Sequence, residues 1–291
     1  MSPEFLQFLF SGITVGAAYA LVALGFSIIY NASHVINFAQ GEFVMLGGMG
    51  TVYLLAFGFP YPIAAFFAVV LAVVIGMLLE KLAIEPARES SVVTLIIITI
   101  GASIFLRGLV QVLLDKQFHA LPPFTGNEPI IIGGATILPQ SLWVLFGTGC
   151  CMGMLWYFFG RTPLGKAMLA TAYNPLAAKL VGINTRMILL LSFGLAALLG
   201  AIGGILVAPL SATYYEIGIM LGLKGFCAAI LGGLGNGLGA VVGGLIVGIA
   251  ETMGAGYVSS EYKDAIAFVI ILLVLVFMPR GLLGRGGTDR V

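Results

Sequence analysis

Apolar runs close to the length that crosses a hydrocarbon core divide this chain almost from end to end. They are Leu6–Ile29, Glu42–Phe59, Pro62–Leu82, Val92–Leu114, Leu142–Phe159, Met187–Ala208, Ile219–Leu234, Leu238–Met253 and Ala265–Met278. A spanning helix needs about 20 predominantly apolar residues. The second, seventh and eighth runs are short and punctuated by glycine, so some are expected to be re-entrant or broken. The expected fold is all-α: a polytopic integral membrane protein with about 8–9 transmembrane helices. Charged residues make up 9% of the 291 and hydrophobic ones 60%. A soluble domain carries roughly a quarter charged residues, so this chain cannot cover a globule, and no stretch remains for a soluble catalytic domain. A single transmembrane domain over 1–291 is the expectation. With a net charge of +1 there is no basic face for a phosphate backbone, which argues against nucleic acid and leaves membrane lipid as the surroundings.

No Lys or Arg precedes the first run, so it lacks the basic start of a cleaved signal peptide and reads as a retained span. Positive charge sets orientation. Lys81 and Arg88 share one loop, Arg161, Lys166, Lys179 and Arg186 another, and Arg280, Arg285 and Arg290 form the tail. With all the runs crossing, these regions fall on one face, predicted to be cytoplasmic along with the C-terminus. Cys150, Cys151 and Cys227 have no metal-ligand spacing and read as reduced packing residues. His34 and His119 are loop residues without partners at ligand spacing. No nucleophile or acid–base constellation is present, and the chain is not expected to be an enzyme.

The most organised polar stretch is Arg161–Asn184, between the fifth and sixth runs. Thr162-Pro163 and Asn174-Pro175 each read as an N-cap with proline at the first helical position, where its missing N–H does no harm. Proline also keeps Asn174 out of helical angles, which ends the first helix. Gly182 suits a left-handed C-terminal residue, with Ile183 making the hydrophobic contact that follows. Two short helices joined at a bend are predicted. Ala167, Ala170, Ala172, Ala177 and Ala178 allow close approach, Leu164, Met168, Leu176 and Leu180 form an apolar stripe, and Lys166 and Lys179 keep the rim wet. That composition suits either a docking surface or an amphipathic connector on the inner leaflet, and the tandem caps favour docking.

Gly160–Ala167 nearly matches the phosphate-binding loop G-x-x-x-x-G-K-[ST]. Ala167 has no hydroxyl for magnesium, Pro163 removes an N–H, and an apolar helix rather than a buried strand precedes it. Nucleotide, if used, is bound by another polypeptide.

Polar residues inside the membrane point to function or to pairing. Lys224 and Glu251 lie near the same end of two consecutive runs, so they are expected to pair, the other reading being a lysine reaching outward to the interface. Arg107 is read as reaching outward in that way. Asn37, Gln40 and Glu42 follow the first run; they are candidates for lining the pathway or, the favoured reading, for capping the second helix, where Glu42 suits the positive end of the dipole. Gly239 and Gly243, then Gly244 and Gly248, are four apart, a spacing that lets helix backbones approach closely.

Three blocks together make the chain similar to the LivH-type permease family of bacterial branched-chain amino-acid ABC importers. They are Gly16–Gly25 leading into Asn37–Phe43, the stretch Arg161–Asn184, and Ala229–Gly239 leading to Glu251. The resemblance covers essentially the whole length. It implies that 161–184 is a cytoplasmic coupling segment, with Thr162, Gly165, Lys166 and Ala167 in its first part and Ala170, Asn174, Ala177 and Gly182 beyond. Leu169 departs from the arginine that relatives often carry. The resemblance also implies a second homologous permease, two cytoplasmic ATPase subunits carrying ATP and Mg, and a periplasmic substrate-binding protein. It implies that this chain itself binds no cofactor. The implied function is passage of leucine, isoleucine or valine across the inner membrane. Alternatives are other amino acids, amides or urea as cargo, or an ion-coupled secondary transporter of small solutes.

Overall fold

A computed structural model of the chain describes residues 2–278 and 280–284; Arg285 and Arg290, counted above in the basic tail, lie outside the described residues. Among the described residues the regular structure is helical apart from one small hairpin. In order, the elements are α1 (Pro3–Ser33), α2 (Gln40–Ala56), α3 (Tyr61–Leu79, extended by a π turn at Glu80–Ile84), α4 (Val92–Leu113), β1 (Ile130–Ile132), β2 (Ala135–Ile137), α5 (Pro139–Arg161), α6 (Pro163–Tyr173), α7 (Pro175–Leu180), α8 (Thr185–Ser211), α9 (Ile217–Gly232), α10 (Gly237–Tyr257) and α11 (Lys263–Phe277). Helices dominate because apolar surroundings supply no partner for a free backbone N–H or C=O.

Six of the described helices, α1, α3 with its π turn, α4, α5, α8 and α10, are long and apolar enough to cross a membrane. The helices α2, α9 and α11 have 17, 16 and 15 residues. The eighth apolar run is therefore not short as expected. It is a helix of 21 residues that continues through Gly254, Ala255 and Gly256 to Tyr257. Glycine lowers hydropathy there without breaking the helix; Gly254 packs on the Ile266 side chain and Gly256 on the Phe8 ring.

The core is built by α1, α8 and the helices that follow each of them. α1 packs on α9 and α10, whereas α8 packs on α2 and α3. The two short helices start inside the bundle. Gln40, first in α2, lies against Gly25, about two turns before α1 ends. Its Nε2 donates to the Ala196 carbonyl of α8 at 3.0 Å. Gly218, in the first turn of α9, lies against the Gly41 backbone, and Gly222 touches Gly41 from the next turn. The starts of α2 and α9 thus meet at mid-depth, a contact that leaves no room for a Cβ.

Glycines of α10 seat it on both neighbours. Gly239 and Gly243 face the backbone of α9 at Gly232 and Ala228, while Gly244 and Gly248 face α1 at Ala20 and Gly16. The two four-residue spacings thus serve two different helices. α1 and α10 run antiparallel, with Gly12 beside Thr252 and the Asn31 amide donating to the Gly235 carbonyl at 2.7 Å.

At the other end from α6 and α7, β1 and β2 pair antiparallel, Ile131 opposite Thr136. Gly133 and Gly134 form the two-residue turn with φ of 60° and 85°, the conformation such tight hairpins require. The Gln7 side chain of α1 grips this hairpin twice: Nε2 donates to the Thr136 carbonyl at 2.9 Å and Oε1 accepts from its N–H at 2.6 Å. Nearby, His119 and Thr213 exchange backbone hydrogen bonds. Outside the membrane-spanning segments, Asp115 accepts from the His119 ring at 2.9 Å. That bond, and then the Tyr53 hydroxyl, hold its carboxyl below the usual range.

A side chain at Gly248 would meet the Gly16 backbone. Gly248→Leu is expected to lower stability by about 1–3 kcal/mol or more, read as a drop in the unfolding midpoint of the detergent-solubilised chain. Gly101→Leu, at a position facing open space, is the control expected to leave the midpoint unchanged.

Candidate functional site

The 161–184 segment forms two capped helices, as its sequence predicts. Thr162 Oγ1 accepts from the Gly165 N–H at 3.0 Å and donates to the Phe158 carbonyl at 2.7 Å, so one hydroxyl ends α5 and starts α6. Asn174 Oδ1 accepts from the Ala177 N–H at 3.0 Å. Gly182 takes φ 88°; its N–H bonds the Lys179 carbonyl, and the Ile183 N–H bonds that of Ala178. These two bonds are the reciprocal pair of a Schellman ending. Asn184 Oδ1 then accepts from Arg186 and Met187 and caps α8. Arg186 also lies 3.7 Å from Glu85.

The two faces of this segment divide differently from the expected stripe. Met168 is buried against α1, α5 and α8, and so belongs to the core rather than to an outer face. Gly165 is also buried, packed on the Phe158 carbonyl and on Phe159, and Ala178 is buried on α7. Facing outward are Leu164, Tyr173, Leu176, Leu180 and Val181. Leu180 is 89% exposed and Val181 77%. Lys166, Ala177 and Lys179 share that outer side, with Ala167 and Ala170 at its edge. An apolar patch rimmed by lysines at the mouth of a membrane bundle is the kind of surface that another protein covers. Tyr173 and Val181 were not singled out by the sequence, although both stand on the apolar side of their helices.

A second cluster lies where α2 begins, and here the expected cap is not what forms. The N-cap of α2 is Ala39, without a side-chain cap bond. Glu42 is buried and its Oε1 accepts from the Ser103 hydroxyl of α4 at 2.7 Å. Arg107 lies 3.8 Å from the same oxygen and is turned inward, not outward to the interface. The cause is desolvation: at mid-depth a carboxylate gains more from a cation and a hydroxyl on α4 than from the first turn of its own helix. Asn37 Oδ1 accepts from the Ala39 N–H at 3.1 Å and closes the turn into α2. Gln40 bridges α2 to α8, as described. Asn37 Nδ2, Gln40 Oε1 and Glu42 Oε2 have no hydrogen-bond partner among the described residues.

The third cluster joins four helices. Lys224 Nζ of α9 lies 2.7 Å from Glu251 Oε1 of α10 and 2.6 Å from Asp264 Oδ1 of α11. Tyr19 of α1 donates its hydroxyl to Glu251 Oε2 at 2.8 Å, and its ring sits under the ammonium at 5.6 Å. Lys224 and Glu251 do meet, and Lys224 does not reach outward. Tyr19, 232 residues from Glu251, and Asp264, in the first turn of α11, complete the site, and neither was singled out by the sequence. Among the described residues no group of His, Cys, Asp and Glu could hold a metal ion.

The cluster predicts an order of damage. Lys224→Ala leaves two carboxylates facing each other without their cation, whereas Glu251→Ala leaves Lys224 paired with Asp264. Breaking a buried pair from one side costs about 3–5 kcal/mol, so Lys224→Ala is expected to lower the unfolding midpoint further than Glu251→Ala. The double variant should lose less than the two singles added. Additive losses, or the reverse order, would disprove a shared cluster.

Comparisons with known proteins agree with this architecture. Residues 8–275 match the family described as branched-chain amino acid transport system / permease component. The high-affinity branched-chain amino acid transport system permease protein LivH of Escherichia coli K12 is 36% identical over 310 residues, covering 100% of both chains. The corresponding BraD protein of Pseudomonas aeruginosa is 34% identical over 302 residues, covering 99% of this chain and 98% of that one. Among solved structures, PsaBC from Streptococcus pneumoniae in complex with Fab superposes with a TM-score of 0.51 at 17% identity, over 95% of this chain and 92% of that chain; this similarity concerns the fold alone. With helices that cross the membrane, a doubly capped helical pair at one mouth and full-length matches of this kind, the chain belongs to the family of branched-chain amino acid transport permease components.

Proposed function

We propose that the chain is the membrane permease of an ATP-driven importer for branched-chain amino acids in the bacterial inner membrane. It acts as a single permease domain whose 161–184 segment receives force from a cytoplasmic ATPase. The observation that carries this reading is the exposed apolar face of α6 and α7, held rigid by three caps at Thr162, Asn174 and Asn184. The assembly comprises a second homologous permease, two ATPase subunits that bind ATP and Mg, and a periplasmic binding protein that selects cargo. The α6–α7 end and the C-terminus are cytoplasmic, in keeping with the basic residues collected there. The chain is a conduit and catalyses no reaction itself.

The force path follows bonds already described. Thr162 ties α6 to the last turn of α5, and Asn184 ties the end of α7 to the first turn of α8. The Ala196 carbonyl of α8 holds Gln40 at the start of α2. Movement of the α6–α7 pair therefore pulls on two long helices and, through α8, on the mid-depth junction of α2 and α9. Arg107 already supplies a cation 3.8 Å from Glu42 Oε1, which disfavours a coupling ion at that carboxylate and favours ATP over an ion gradient.

Leu180→Asp and Ala177→Trp alter exposed positions and leave the buried side of the segment intact. In the reconstituted assembly each is expected to reduce transport-coupled ATP hydrolysis at least tenfold, with normal membrane insertion. Gly165→Trp, at a buried contact, is expected to lower the amount of folded protein instead. Full coupled hydrolysis in both exposed variants would reject the docking assignment.

A further inference from the structure

The π turn that ends α3 stacks one carboxylate near another. Glu85 donates its N–H to the Glu80 carbonyl at 2.8 Å across this turn. In an α-helix residues five apart point in different directions, whereas the wider turn brings them closer to one line. Such turns are rare and are frequent at functional sites. Glu85 stands at the rim with its side chain 34% exposed, and Arg186 lies 3.7 Å from it. Glu80 is only 2% exposed. Among the described residues its carboxylate makes no hydrogen bond and no ion pair, and the charged groups that face it are Glu85 and Arg88. Leu79 and Ile84, on either side of it in the chain, share an apolar cluster with Leu95 of α4 and with Leu189 and Phe193 of α8. A buried carboxylate left alone in such surroundings is costly and calls for a partner.

The pair at the rim is the opposite case. The Arg186 side chain is 75% exposed, and so wet a pair contributes little. Arg186 is the second residue of α8 and follows the 161–184 segment directly; its N–H donates to Asn184, the cap of that helix. Arg88 donates its N–H to the Glu85 carbonyl at 3.3 Å and therefore travels with Glu80, whereas Arg186 travels with the segment. We propose that Glu80 is a positioning residue and the second station of Arg186: when the ATPase displaces 161–184, the guanidinium leaves Glu85 and takes Glu80, so that α3 follows α8. The two stations are about one helical turn apart, roughly 5 Å, the size of step by which one packed element ratchets past another. The exchange replaces a weak exposed pair by a desolvated one, where the planar fork of arginine holds best. This inference rests on the reading of 161–184 as the ATPase dock.

Two readouts separate a station from an ordinary structural ion pair. In the detergent-solubilised chain, Glu80→Gln is expected to leave the unfolding midpoint unchanged or to raise it, because no partner is lost at rest. In the reconstituted assembly the same variant should lower transport-coupled ATP hydrolysis at least about tenfold, the value of one hydrogen bond to a charged group. Arg186→Gln should do likewise, and the double variant should lose no more than either single. Lys81→Gln, an exposed cation on the same turn, is the control expected to leave hydrolysis unchanged. Position is read by cross-linking in the assembly, with Cys150, Cys151 and Cys227 replaced by serine. A short bifunctional methanethiosulfonate should join Arg186→Cys to Glu85→Cys without nucleotide, and Arg186→Cys to Glu80→Cys with a non-hydrolysable ATP analogue. A lowered midpoint in Glu80→Gln, additive losses in the double variant, or no link between positions 186 and 80 with the analogue overturns the proposal. Non-additive loss of Glu80→Gln with Arg88→Gln, and not with Arg186→Gln, also overturns it and makes Arg88 the partner. Failure here while Leu180→Asp still loses coupled hydrolysis defeats this proposal alone. Full hydrolysis in Leu180→Asp and Ala177→Trp defeats the docking reading instead.

Discussion

An unpaired backbone amide in hydrocarbon has no water to turn to, and each such group costs several kcal/mol. Everything in this chain answers that constraint. The long helices satisfy it internally. The short ones, α2 and α9, begin inside the bundle, where their first turns would be ruinous if they faced lipid. They are tolerated because Gly41 meets Gly218 and Gly222 backbone to backbone, with α1 and α8 enclosing the junction. Removing side chains at that crossing seals it against lipid and water alike.

The same constraint explains the polar clusters. Lys224 is buried but meets two carboxylates and an aromatic face. Glu42 is buried but meets a hydroxyl and a guanidinium. In each case the partners sit on helices other than that of the buried charge, so each cluster fixes the rotation of its helices as well as satisfying charge. Apolar packing alone discriminates poorly among rotations when lipid is as apolar as the protein interior.

Local signals were legible in the sequence. Thr162-Pro163, Asn174-Pro175 and Gly182 act within a few residues of themselves, and the helices they predict are those found. Lys224 and Glu251 could be paired because two consecutive runs bring their neighbouring ends to similar depth. What stayed hidden depends on contacts distant in the chain. Ser103 lies 61 residues from Glu42 and Tyr19 lies 232 from Glu251. An acid in a first turn looks like a cap until its surroundings are known. Met168 failed as a surface residue for the same reason: on a short helix, periodicity gives a stripe but not the side on which the bundle lies. Glycine misled in the eighth run because it lowers hydropathy where it improves packing.

The 31 residues of α1 form one uninterrupted helix, about 46 Å long at 1.5 Å per residue. Near its first turn Gln7 is bonded to the β-hairpin, and at its far end Asn31 is bonded to the start of α10. A tilt imposed at either mouth therefore reappears at the opposite one without passing through a joint. Such a rod makes the two surfaces of the membrane mechanically simultaneous, so events outside and inside the cell need no messenger between them.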